Sequence, residues 1–202
     1  MRFLKFVAVS SVIFWAAIVS AGTYYLPHIH VGSDSWETYL IADNLDTYMD
    51  QSFRMILYDA EGVSTVVDHV YTVPAGDQLR LSLRELEGPC GEIQCGTRSI
   101  RFRLGYNARA DLGGGTAEFD VPSEPLKNGV LSLSNYASEL TWSGFALMNT
   151  SDETVTVWAT AVGDEAGGKA DETVMLEIPP KSRIVDYFLS YFGLSVANIR
   201  WV

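Results

Sequence analysis

Apolar and polar residues alternate in short runs along most of this chain. Phe53-Arg54-Met55-Ile56-Leu57-Tyr58, Ile100-Arg101-Phe102-Arg103-Leu104-Gly105-Tyr106, Thr154-Val155-Thr156-Val157-Trp158-Ala159 and Val174-Met175-Leu176-Glu177-Ile178 all repeat with period two. At that spacing one face of a strand is buried and the other is wet. Turn-forming stretches separate the runs: Asp59-Ala60-Glu61-Gly62, Pro74-Ala75-Gly76-Asp77, Gly113-Gly114-Gly115 and Gly163-Asp164-Glu165-Ala166-Gly167-Gly168. The pattern predicts an all-β chain folded as a β-sandwich of Ig-like or jelly-roll-like kind. Ile184 to Tyr191 has a helical option, but its aromatic and β-branched residues suit a strand as well.

The turns repeat. Asn44, Asp59, Gly62 and Pro74 recur as Asn149, Asp164, Gly167 and Pro179, all at one offset of 105 residues. Apolar positions follow the same offset, pairing Phe53 with Trp158, Leu57 with Val162, Val70 with Met175, Val73 with Ile178 and Leu79 with Ile184. Trp36 and Trp142 open the two units with a one-residue shift. Each turn residue has a mechanical job: Asn bonds its own backbone, Gly supplies positive φ, and Pro ends a strand because it has no donor. The expected architecture is therefore two pseudo-repeats, a first unit over 22–121 and a shorter second unit over 122–202 packed on it. The second, about 80 residues long, is too small to bury a stable core alone.

Leu26-Pro27-His28-Ile29-His30, Ser35-Trp36-Glu37-Thr38 and the Asn44 turn resemble the opening of tandem β-sandwich repeat modules of secreted bacterial proteins of unknown function. Trp142-Ser143-Gly144-Phe145-Ala146-Leu147-Met148-Asn149-Thr150-Ser151 and Pro179-Pro180-Lys181-Ser182-Arg183 carry the resemblance into the second unit, which lacks the Pro-His opening. The resemblance implies architecture and export, and it brings no catalytic residues.

Export is also written at the start of the chain. Arg2 and Lys5 precede an uncharged run from Phe6 to Val19, and Val19-Ser20-Ala21 supplies the small residues of a cleavage site. Residues 1–21 are expected to be a signal peptide removed after Ala21, which makes the protein periplasmic or secreted. An uncleaved membrane anchor is the competing reading, diluted by Ser10, Ser11, Ser20, Gly22 and Pro27. The chain of 202 residues has 14 Lys+Arg against 25 Asp+Glu, a net charge of -11, which excludes a nucleic-acid binder. Cys90 and Cys95 sit in the turn-rich Gly88-Pro89-Cys90-Gly91-Glu92-Ile93-Gln94-Cys95-Gly96, where an oxidising compartment predicts a short-loop disulfide. A metal site needs ligands that the two cysteines do not supply.

Candidate chemistry is sparse. Gly-x-Ser-x-Gly, His-Glu-x-x-His and a phosphate loop are all missing from the sequence. His28 and His30 on one face of a strand could open a Zn or Cu site with Asp34 or His69 as a third ligand, although solvent-facing histidines are the plainer reading. Trp36 and Trp142 are possible ligand-facing aromatics; Tyr39, Tyr48, Tyr58 and Trp158 complete a set that could stack sugars but suits a sandwich core better. Asp43, Asp46 and Asp50, or Asp111 beside Gly113, miss the spacing of a calcium loop and read as solvated turns. No cofactor and no enzyme activity are expected. The leading reading is a non-catalytic module for binding, adhesion or assembly, recognising a protein or polysaccharide at the cell surface. A small outer-membrane β-barrel, or a metal- or carbohydrate-binding accessory protein, is the alternative.

Overall fold

The computed structural model describes residues 22–30, 36–108, 115–126, 144–161 and 172–187, and every regular element among them is a β-strand. The expected leader 1–21, together with Asp34, Asp111, Trp142, Val162, Asp164 and Gly167, lies outside the described residues.

Eight strands make two four-stranded antiparallel sheets. One sheet takes β1 (Gly22–Leu26), β6 (Cys90–Cys95), β3 (Gln51–Tyr58) and β4 (Ser64–Val73) in that order. The other takes β5 (Gln78–Ser82), β2 (Trp36–Asn44), β7 (Ile100–Ala108) and β8 (Gly115–Asp120). Period two decides which side chains meet. Phe53, Met55 and Leu57 of β3 are buried while Ser52 and Arg54 are exposed, and on β7 Ile100, Phe102 and Leu104 are buried while Arg101 is exposed. Phe53 meets Phe102 edge to face with ring centroids 5.0 Å apart, and Tyr24 meets Phe102 at 4.8 Å. Leu26, Ile29, Leu40, Val73, Leu83 and Ile93 fill the space around them. Each such side chain contributes roughly 1.5–3 kcal/mol by leaving water. The outward face of β7 and β8 is charged: Arg103 bridges Asp43 at 3.0 Å and Glu118 at 2.6 Å, and Arg101 pairs with Asp120 at 2.7 Å.

Four more strands follow. β9 (Gly144–Met148) pairs with β12 (Arg183–Tyr187), and β10 (Val155–Ala161) pairs with β11 (Glu172–Ile178). Leu147 opposite Ile184 is the pairing of Ala42 with Leu79 moved on by 105 residues, and Met148 opposite Arg183 is that of Asp43 with Gln78. The two Asn turns match in the same way. Asn44 Nδ2 donates to the carbonyls of Met49, Val73 and Pro74 at 2.9, 3.0 and 3.0 Å. Asn149 Nδ2 donates to those of Glu153, Ile178 and Pro179 at 2.6, 3.0 and 3.0 Å. Their Oδ1 atoms accept from the backbone N–H of Asp46 and Ser151.

One expected equivalence is wrong. Gln51 lies opposite Val73, whereas Val155 lies opposite Ile178, so the hairpin strand is matched at 104 residues and not 105. The Asn149 loop is one residue shorter than the Asn44 loop, and a one-residue slip sends every side chain to the other face. Val157 therefore stands where Phe53 stands. Phe53 is 2% exposed, while Trp158 is turned out and 68% exposed.

The expected disulfide is also absent. Cys90 and Cys95 are free thiols, both buried, at the two ends of β6. The Gly-Pro-Cys-Gly stretch that reads as a turn is strand from Cys90 onward, because β6 pairs on both edges, with β1 and with β3. Five residues of extended chain put the Cα atoms about 17 Å apart and an odd spacing sends the side chains to opposite faces, far beyond the roughly 7 Å limit of a disulfide. Cys95 joins the core, while Cys90 lies on the opposite face, where its thiol meets the carbonyl of Lys181 at 3.7 Å.

Candidate functional site: the seam between the two units

The first unit presents a braced segment at one end of the sandwich. Leu26 and Ile29 are fully buried and fix Pro27-His28-Ile29-His30 at both ends. The backbone is tied down on three sides. Ile29 N–H donates to the Pro89 carbonyl at 2.7 Å, the Tyr106 hydroxyl donates to the His28 carbonyl at 2.7 Å, and His30 N–H donates to Thr38 Oγ1 at 2.9 Å. The segment is a connection and not the strand that the sequence suggested. Its alternate residues still keep both imidazoles together, with ring centroids 6.0 Å apart. His28 stacks on Tyr106 at 5.8 Å with planes 19° apart, and Trp36 shares a face of β2 with Thr38, two residues on.

Arg183, at the start of β12, reaches across from the second unit and touches His28 Nδ1 with its guanidinium. Burial lowers the Arg183 pKa to about 10, and burial likewise pushes the Tyr106 hydroxyl well above its ordinary value. No described carboxylate lies against Arg183. His30 Nε2 is buried without a hydrogen-bond partner among the described residues.

A second set of contacts holds the seam shut. Lys181 takes a left-handed conformation, φ 51°, at the turn before β12. Its ammonium donates to Glu92 Oε1 at 3.0 Å and to the Thr150 carbonyl at 2.7 Å, with Asp152 at 3.7 Å and the Tyr58 ring centroid at 5.7 Å. Glu92 is itself only 7% exposed. Burial, then the neighbouring Glu92 carboxylate, pushes the Tyr58 hydroxyl well above its ordinary value. Burial pushes the Cys90 thiol up to about 12, so it carries no thiolate near neutrality. Gly62, at φ 79°, lies so close to the second unit that a Cβ there would come within 2.2 Å of the Pro180 carbonyl oxygen.

The other candidates fall elsewhere. His69 packs against Tyr71 on β4 at 4.6 Å, and no group of three His, Cys, Asp or Glu among the described residues could hold a metal. Arg183 engages Nδ1 of His28, which leaves the Nε2 atoms of both histidines facing the seam's chemistry. Asp43, Asp46 and Asp50 are occupied structurally: Asp43 by Arg103, Asp46 by the N–H groups of Tyr48 and Met49, Asp50 by that of Ala75. Of the aromatic set, Tyr39 and Tyr58 are buried, Trp36 is half-buried, and Tyr48 stands 92% exposed on the Asn44 loop.

The sequence matches no protein-family model, and no curated protein is similar to it at a significant level. Among solved structures it is similar to a crystal structure of a Thermotoga maritima protein, numbered 1070, at 11% identity and a TM-score of 0.44, over 52% of this chain and 97% of that one.

Arg183, Lys181, Tyr106 and Glu92 are the seam residues that the reading of motifs missed. A signal for two of them was present. At the offset of 105 residues Lys181 falls opposite Gly76 and Arg183 opposite Gln78, so cations stand where the first unit has a glycine and an amide.

Proposed function

We propose that this chain is a non-catalytic, exported β-sandwich protein of two pseudo-repeats, acting as a binding, adhesion or assembly module, with the seam as its contact region. The observation that carries the reading is the Arg183 guanidinium, half-buried between the units beside two histidines and without a described acidic partner. By contrast Arg101, Arg103 and Lys181 are each paired with a carboxylate. No described thiol is activated as a nucleophile, since burial raises the pKa of both cysteines. Export rests on residues 1–21 and on the resemblance to secreted modules, because free buried thiols give no indication of an oxidising compartment. An outer-membrane barrel is the weaker reading. Its strands would need an apolar exterior, whereas the outward face of β7 and β8 carries Arg101, Arg103, Glu118 and Asp120.

The test is retention of the purified chain on isolated cell envelopes. The native chain should sediment with them, and Arg183→Gln should lower retention at least tenfold while leaving the unfolding transition of the first unit in place. No retention, or retention that ignores Arg183, would overturn the reading.

A further inference from the structure

We infer that the seam binds a tetrahedral oxyanion, a phosphate or sulfate group, held by Arg183, His28 and His30. This rests on the reading of the seam as a binding region and names the ligand class it takes.

Arg183 meets His28, and the His30 ring lies beside that of His28 with centroids 6.0 Å apart. A guanidinium offers a planar fork of N–H groups that fits paired oxygens, and contact with His28 Nδ1 engages only one of its nitrogens. With Nδ1 accepting from Arg183, the His28 proton belongs on Nε2, where it is free to donate. His30 Nε2 is buried and unpartnered, a state that costs about 1–3 kcal/mol unless a ligand satisfies it. Three separate donor groups suit an oxyanion with three or more acceptor oxygens better than a two-oxygen carboxylate.

The surroundings favour the same ligand. In a chain of net charge -11, a half-buried cation without a described counter-ion is exceptional. Burial already lowers its pKa, which is the signature of a guanidinium removed from water without compensation. The acidic pair Glu92 and Asp152 is engaged by Lys181. The cradle is preorganised, because its backbone is pinned to Pro89, Thr38 and Tyr106 before any ligand arrives.

Calorimetric titration of the full chain with inorganic phosphate, inorganic sulfate and acetate tests this. Phosphate and sulfate should each bind saturably at one site, and acetate at least tenfold more weakly. Glycerol phosphate should bind at least as tightly as the free ion if the natural group is an ester; tighter binding of inorganic phosphate would assign the site to the free ion. Arg183→Gln and Arg183→Lys should weaken phosphate at least tenfold, the second by losing the fork while keeping the charge. His30→Gln should weaken it about fivefold, and Arg101→Gln, on the exposed face, should change nothing.

Zinc binding that needs His28 and His30, in place of phosphate, would overturn the inference. So would a chain that takes phosphate only after Asp34→Asn, since Arg183 would then own a built-in counter-ion. Loss of phosphate binding with envelope retention still dependent on Arg183 would remove the ligand class and leave the module. Absence of both would remove the module as well.

Discussion

The Asn44 turn and the Asn149 turn use one device for two ends. Both amides satisfy three carbonyls and one N–H, and both hold the pair of strands that flank them. At the next corner they part. Gly76 takes φ 67° in the first unit, with no atom closer than 3.8 Å to a Cβ built there. Lys181 takes φ 51° at the corresponding place, where a non-glycine residue costs roughly 1 kcal/mol or more. The first turn only closes a sandwich, so a glycine serves it. The second also docks, and the strain at Lys181 is offset by an ammonium that reaches Glu92 on the first unit. A left-handed residue that is not glycine marks the turn that also carries a contact to the first sheet.

The largest effects should fall on the core, where the hairpin strand is shifted by a residue. Phe53→Ala should cost about 3–5 kcal/mol in denaturant unfolding, whereas Trp158→Ala, its naive counterpart, should stay within about 0.5 kcal/mol. Equal losses would restore the 105-residue match for that strand. Asn44→Asp should cost about 3 kcal/mol by setting a carboxylate against three carbonyl oxygens. Asn149→Asp should melt the β9–β12 region by hydrogen exchange while β2, β3 and β7 stay protected, and simultaneous loss would mean that the two units fold as one. Gly62→Ala should cost about 2 kcal/mol and open the seam, against about 1 kcal/mol for Gly76→Ala, where only the backbone conformation resists. The smallest effect concerns the thiols. Native protein should leave Cys90 and Cys95 unreactive to a maleimide at neutral pH, and denatured protein without reductant should expose two, so a mass that changes on reduction would reinstate the disulfide.

The strands were legible in the sequence because period-two burial is local: Phe53-Arg54-Met55 and Ile100-Arg101-Phe102 carry their own signal. The turns were legible because Asn, Gly and Pro do jobs that few other residues can do. What failed was register. A deletion of one residue after Asn149 is invisible in a match of turn residues, yet it decides whether Trp158 points in or out. The cysteines failed for a similar reason, since Gly88, Pro89 and Gly91 look like a turn until two neighbouring strands claim the segment as a ladder. The two histidines of the site were visible as a pair. Their partners Tyr106 and Arg183 were not, because contacts across 78 and 155 residues come from folding and leave no local pattern.

The docking of the second unit through its left-handed lysine is most directly tested by a double-mutant cycle on Lys181→Met and Glu92→Gln, read by chemical denaturation. The two groups are partly buried, their side chains 22% and 10% exposed, so the pair should show a coupling of about 1–2 kcal/mol, with Glu92→Gln recovering much of the loss that Lys181→Met alone inflicts by stranding a buried carboxylate. Single losses that add to within about 0.3 kcal/mol would show that Lys181 and Glu92 do not hold the units together, and would contradict the account of the seam.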